Sequence, residues 1–271
     1  MSDDAQRLWR LVEVWLLAVD DLTTLVADLD PSDGLVATDL PGWNVADNLA
    51  HLAHLEAVLA GAPEHDVEVP EAPHLQRPMQ YYTEAGVLAR RGRLLPELVE
   101  ELREAVTTRY AALRADPPTD ASAPPPRTPG GVGWDTGTVL RNRPFDVWLH
   151  EQDIRRALGR PGGLDGAPAR HTLSVLVAGL PMVVGKRVAP EVGRGVRLEL
   201  PQAGLGVTAV VGDDGRARFD EDAVPATTVR LTTEDYVVLA AGRRPPEATA
   251  PEVEGDRELA ARLLASLAVT P

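Results

Sequence analysis

The sequence has no cysteine, one lysine (Lys186) and two phenylalanines among 271 residues. The missing cysteine excludes disulfides, thiolate metal sites and a cysteine nucleophile, so any thiol chemistry needs a thiol from outside the chain. No uninterrupted apolar run approaches the roughly 18 residues that span a bilayer. The start, Met1-Ser2-Asp3-Asp4, is acidic where a secretory signal is basic. A cytoplasmic protein without a membrane partner is therefore expected. Positive charge is scarce too: 27 Lys and Arg face 41 Asp and Glu, a net charge of -14 with no basic block. A nucleic-acid backbone would be repelled over most of such a surface, and no nucleic-acid partner is expected.

What is present divides into two parts. Leu8, Leu11, Val12, Trp15, Leu16, Val19, Leu22, Val26 and Leu29 recur at three- and four-residue steps, which predicts an amphipathic helix ending before Pro31. Asn44 with Asp47 resembles a capping box opening a second helix towards Gly61. Residues 62–80 carry proline and histidine without a period, and Leu95, Leu98, Val99, Leu102, Val106, Tyr110 and Leu113 mark a third helix. After the Pro- and Gly-rich stretch 117–133, a fourth helix is expected over about 136–158, closed by Gly159-Arg160-Pro161-Gly162-Gly163. Four helices with one apolar stripe each make a bundle.

Past Gly163 the pattern changes to a helix over 171–188 and strand-like segments at 196–200, 207–211, 217–219 and 228–231. Helices over 233–241 and 256–267 follow. The expected class is α+β, with domains 1–163 and 164–271. Nothing in the pattern marks an interface face, and a monomer is expected.

Chemistry concentrates on two helices. Asp146 and His150 stand at i and i+4, with Cβ atoms about 5–6 Å apart on one face. They sit within the apolar run Phe145-Asp146-Val147-Trp148-Leu149-His150, where ionisable groups cost free energy unless paired or metal-bound. His51 and His54, among Leu49, Leu52 and Leu55, offer a third ligand. Two neutral imidazoles and one carboxylate suit zinc with a fourth position open, and also iron(II) or nickel. The plainer alternative is an i,i+4 ion pair with hydrogen-bonded structural histidines. Asp153, Arg155 and Arg156 read equally well as a solvated helix end. Glu151 and Asp153 are the carboxylates available as a general base if a metal-assisted hydrolysis ran here.

Two motifs resemble a known family. Thr38-Asp39-Leu40-Pro41-Gly42-Trp43-Asn44-Val45 leading to His51-Leu52, and the segment from Arg143-Pro144-Phe145-Asp146 through His150 to Gly159-Arg160-Pro161, are similar to signatures of the actinobacterial, mycothiol-dependent maleylpyruvate isomerases. A weaker match runs from Val229-Arg230-Leu231-Thr232 through Ala241-Gly242-Arg243-Arg244. The resemblance implies a DinB-like four-helix bundle followed by a smaller α/β sterol-carrier-like domain. It also implies a divalent metal, usually zinc, held by His51, Asp146 and His150, with His54 as a helix-face or second-sphere residue.

By the same resemblance mycothiol is the thiol cosubstrate, activated as a metal-bound thiolate. It acts on a small electrophile or an unsaturated acid, by cis-trans isomerisation or S-transfer. Arg243 becomes the candidate catalytic clamp for a substrate carboxylate. The family's isomerases carry glutamate where this chain has Asp146, one methylene shorter. A non-catalytic ligand-binding or regulatory protein that keeps the metal site is the rival expectation.

Overall fold

A computed structural model describes residues 3–270 and divides into two compact units, residues 1–163 and 164–271. In the first unit α1 (Asp3–Val26), α2 (Val45–Leu59), α4 (Leu95–Ala115) and α5 (Thr136–Ala157) form the bundle, with α1 packed on α5 and α2 on α4. Their apolar stripes meet in one core that includes Leu8, Trp15, Leu22, Leu49, Leu52, Leu98, Leu102, Val147 and Ile154. Burial of such side chains is the main favourable term in the fold, at about 25 cal/mol per Å² of apolar surface.

Local signals start the helices where the sequence places them. The Asn44 side chain accepts from the Asp47 N–H at 2.8 Å and the Asp47 carboxylate accepts from the Asn44 N–H at 3.1 Å, a complete capping box. Asp135 caps α5 by accepting from the Thr138 N–H at 2.7 Å. The helix then runs through Pro144 without a break.

A fifth helix of this unit, α3 (Pro78–Leu88), lies where no helix was expected. It buries only Glu84, Gly86 and Val87, so it has no apolar stripe to betray it. Pro78 at its first turn and Gln80, whose Oε1 accepts from the N–H groups of Gln76 and Arg77, start it instead.

The second unit is a five-stranded sheet with helices. Its strands are β1 (Gly195–Leu200), β2 (Leu205–Val211), β3 (Ala217–Phe219), β4 (Thr227–Arg230) and β5 (Glu252–Gly255), in the order β3-β2-β1-β4-β5. Only the β1–β4 pair is parallel. Val196, Leu198, Leu200, Ala209 and Val229 are buried on one face. β5 was not anticipated, because it offers one apolar residue, Val253, between glutamates.

Helices α6 (Ala167–Ala178), α8 (Thr233–Ala240) and α9 (Arg257–Ser266) complete the unit. After α6 a short turn, α7 (Leu180–Met182), passes into a π-helical turn, Val183–Val188. Among the described residues, the continuous stretch Ala167–Val188 is the one helix long and apolar enough to cross a membrane, and half of its most apolar window is buried within the protein. The whole is α+β.

Candidate metal centre

The bundle brings His51 of α2 together with Asp146 and His150 of α5, with one potential ligand atom from each inside a 4.8 Å group. His51 Nε2 lies 3.3 Å from Asp146 Oδ2, and His150 Nε2 lies 3.6 Å from Asp146 Oδ1. The two imidazoles meet edge to face with centroids 4.7 Å apart, and Trp43 packs against both. Neither ring nitrogen of His51 makes a hydrogen bond, although the ring is buried. A buried polar atom without a partner is costly, and here two of them belong to a side chain that faces a carboxylate and another imidazole.

The tautomer of His150 follows from its neighbours. Asn48 Nδ2 donates to the Asn44 carbonyl at 2.8 Å and to Thr38 Oγ1 at 3.3 Å, which turns its Oδ1 towards His150. That oxygen lies 2.7 Å from His150 Nδ1 and is an acceptor, so Nδ1 carries the proton and Nε2 offers its lone pair to the cluster. Asp153 Oδ2, 3.3 Å from the same Nδ1, supports this arrangement, and its other oxygen is held by Arg156. Hence Asp153 is no solvated helix end: it is 1% exposed and backs an imidazole. Arg156 in turn reaches Asp39 at 3.0 Å.

The loop ahead of α2 bonds to the same group of residues. The Thr38 N–H donates to the Trp43 carbonyl at 3.1 Å and the Thr38 hydroxyl donates to the same carbonyl at 3.0 Å. Gly42 turns the chain at φ +83, where a Cβ would also lie 2.9 Å from the His74 ring. Trp43 Nε1 donates to Glu84 of α3 at 2.7 Å, which fixes the indole beside the two imidazoles.

Charge favours an ionised carboxylate beside a neutral His51 ring. Burial opposes ionisation of Asp146, but Arg143, then His51 and His150, override it and hold its carboxyl well below the usual range. Burial pushes the His51 pKa down, and only Asp146 works the other way to any extent. A cation taken up here would therefore meet an imidazole that is not protonated. Asp146 receives a 2.9 Å hydrogen bond from Arg143 Nη1.

His54 does not join this group. It is 1% exposed, with its ring near His65 and Tyr82 at centroid distances of 5.5 and 5.3 Å, and both ring nitrogens lack hydrogen bonds. Burial first, then the charge of Arg90, pushes its pKa down to about 3. Gly86 makes room for that ring, because a Cβ there would lie 2.1 Å from it. Glu151 is buried and accepts from Arg155 at 2.7 Å, and burial raises its pKa. Arg243 belongs to the second unit, in the turn after α8, where its Nη1 donates to the Ala241 carbonyl at 2.8 Å.

Sequence reasoning named the three cluster residues but missed Asn48, Arg143 and Glu56 as their supports. The available signal was polar residues at helix positions otherwise occupied by core side chains, Glu56 after Leu52 and Leu55 above all.

A helical bundle with two histidines and a carboxylate turned inward, followed by a small mixed sheet unit, defines a class of two-part proteins with a candidate metal centre. Residues 15–155 match the family described as mycothiol maleylpyruvate isomerase N-terminal domain, and residues 170–262 match the MDMPI C-terminal domain. The chain belongs to the mycothiol-dependent maleylpyruvate isomerase family.

Two crystal structures of mycothiol-dependent maleylpyruvate isomerase, one of them of a mutant, superimpose with a TM-score of 0.56. They are 18% and 17% identical to this chain, and each comparison covers 88% of this chain and 90% of the other. At that identity they speak for the fold. No curated protein matches.

Proposed function

We propose that the chain is a metal-dependent, mycothiol-using enzyme whose metal ligands are His51, Asp146 and His150. One observation carries the reading: a buried His51, neither of whose ring nitrogens meets hydrogen-bond geometry, has its Nε2 3.3 Å from Asp146 and faces His150, whose Nδ1 is taken by Asn48. The donor set of two imidazoles and one carboxylate suits zinc and leaves room for an exchangeable ligand. A divalent cation bound there supplies Lewis acidity, which presents a thiol as thiolate at neutral pH. The absence of cysteine means that the thiol comes from outside, and family membership supports mycothiol in that role.

The chain's own residues do the rest. Asn48 and Asp153 hold His150 in the tautomer that ligates, Arg143 orients Asp146, and Trp43 walls the two imidazoles on one side. Family membership supports a small unsaturated acid as substrate with cis-trans isomerisation as the reaction, and S-transfer to an electrophile uses the same thiolate. Arg243 is proposed as the clamp for a substrate carboxylate, since a guanidinium can bond both oxygens.

The test is the metal content of purified wild type and His150→Ala, followed by mycothiol titration of both. Near-stoichiometric divalent metal that is lost in the variant, with thiol binding that depends on it, is the expected result. A metal-free wild type that binds ligand as well as the variant does would sink the proposal in favour of a non-catalytic binding protein.

A further inference from the structure

Behind Asp146 lies a string of charges deep in the bundle. Glu56 of α2 accepts at Oε1 from Arg143 Nε at 2.8 Å and from Trp15 Nε1 at 2.9 Å, and at Oε2 from Arg109 Nη1 at 2.9 Å. Arg143 Nη1 then donates to Asp146 Oδ2 at 2.9 Å. Trp15 comes from α1, Arg109 from α4, and Arg143 and Asp146 from α5, so all four bundle helices contribute. Glu56 is fully buried, Arg143 is 1% exposed and Arg109 6%. Stability alone is a poor reason to keep such an arrangement, because well-packed apolar residues usually do as well or better in its place.

We infer that Arg143 is the positioning residue of the metal centre and that Glu56 is its counter-charge, an inference that rests on the metal reading above. Arg143 grips one oxygen of the short Asp146 side chain, fixing the carboxylate rotamer between His51 and His150. A bare guanidinium so close to a cation site would repel the ion. Glu56 removes that objection: two arginines and two carboxylates alternate along the string, and their formal charges cancel. What the centre receives from Arg143 is then chiefly a directional hydrogen bond. The partners of ligating carboxylates and imidazoles typically carry about 10- to 100-fold in metal affinity.

Zinc affinity of the full chain, read by competition with a chromophoric chelator, tests this on wild type, Arg143→Gln, Arg143→Lys, Glu56→Gln and Arg109→Gln. Helical content is checked for each. Arg143→Gln and Glu56→Gln are expected to bind zinc about tenfold or more weakly than wild type, and Arg143→Lys, which keeps the charge but not the fork that reaches both Glu56 and Asp146, to fall in between. Arg109→Gln breaks the same buried string without touching Asp146. It is expected to lower thermal stability while leaving zinc affinity within about threefold of wild type.

A purely structural role would move the stability of these variants together and leave the affinity of the folded protein alone. If Arg143→Gln fails to fold, Arg143→Lys decides. Wild-type or tighter zinc binding by a folded Arg143 variant overturns the inference while leaving the metal reading intact. A wild type that takes no zinc overturns the metal reading itself, and this inference with it.

Discussion

The bundle core and the sheet each carry a string of alternating arginine and carboxylate. In the core, Arg109, Glu56, Arg143 and Asp146 link at 2.8–2.9 Å. On the sheet, Arg197 Nε donates to Glu199 at 2.7 Å, and Arg230 donates to Glu199 at 2.5 Å and to Glu254 at 2.6 Å. The distances are alike and the surroundings are not. The Glu56 side chain has no exposure, whereas that of Glu254 is 67% exposed. Water and salt screen the sheet ladder, so it is ordinary cross-strand pairing on a solvated face. In the core every charge must be answered by a partner, and the string ends on Asp146, a candidate metal ligand.

Breaking the core string has the largest expected effect. Glu56→Ala strands two buried guanidiniums and should destabilise the protein by about 3–5 kcal/mol, measurable by urea denaturation. A loss under about 1 kcal/mol would show that water reaches the string and that the contrast with the sheet is unreal.

A third kind of buried group sharpens the contrast, one with no counter-charge. His54 sheds its proton because burial and Arg90 leave the charged form nothing to pair with. Its pKa in the folded chain, about 3, lies below the ordinary 6.5, so the unfolded chain binds more protons at intermediate pH. Its contribution to stability is therefore complete above about pH 6.5 and is lost as pH falls towards 3. Urea midpoints at pH 7.5 and pH 5 should differ more for wild type than for His54→Gln. Glu56, held below its ordinary value by Arg143 and Arg109 against the effect of burial, stays ionised across that interval and does not confuse the reading. An equal drop in both proteins would remove His54 as the cause. The smallest effect belongs to the sheet: Arg230→Gln should leave the urea midpoint where it is, and a marked shift would place the ladder in the core's category.

The same division between apolar pattern and polar partnership governs how far the sequence could be read. Helices α1, α2, α4 and α5 announce themselves because each buries an apolar stripe, and the Asn44–Asp47 box is spelled out in consecutive residues. β5 and α3 are not legible that way: one is a single valine among glutamates, and the other owes its place to Trp43 bonding Glu84 and to Gly86 admitting the His54 ring.

At the site, i,i+4 spacing exposed Asp146 and His150, and the family motif selected His51 over His54. The selection has a physical counterpart in the structure, where His51 turns to the cluster and His54 to His65 and Tyr82. The supports Asn48 and Glu56 come from α2, 102 and 87 positions away in the chain from His150 and Arg143, which they bond, beyond the reach of any local pattern.

Metal held by His51, Asp146 and His150 would occupy one position in space. Crystals of the full chain grown with zinc, with data collected above and below the zinc absorption edge, would show an anomalous peak about 2.0–2.2 Å from His51 Nε2, His150 Nε2 and an Asp146 oxygen if the account is right. A zinc peak bound elsewhere, or none at a concentration that saturates the protein in solution, would contradict it.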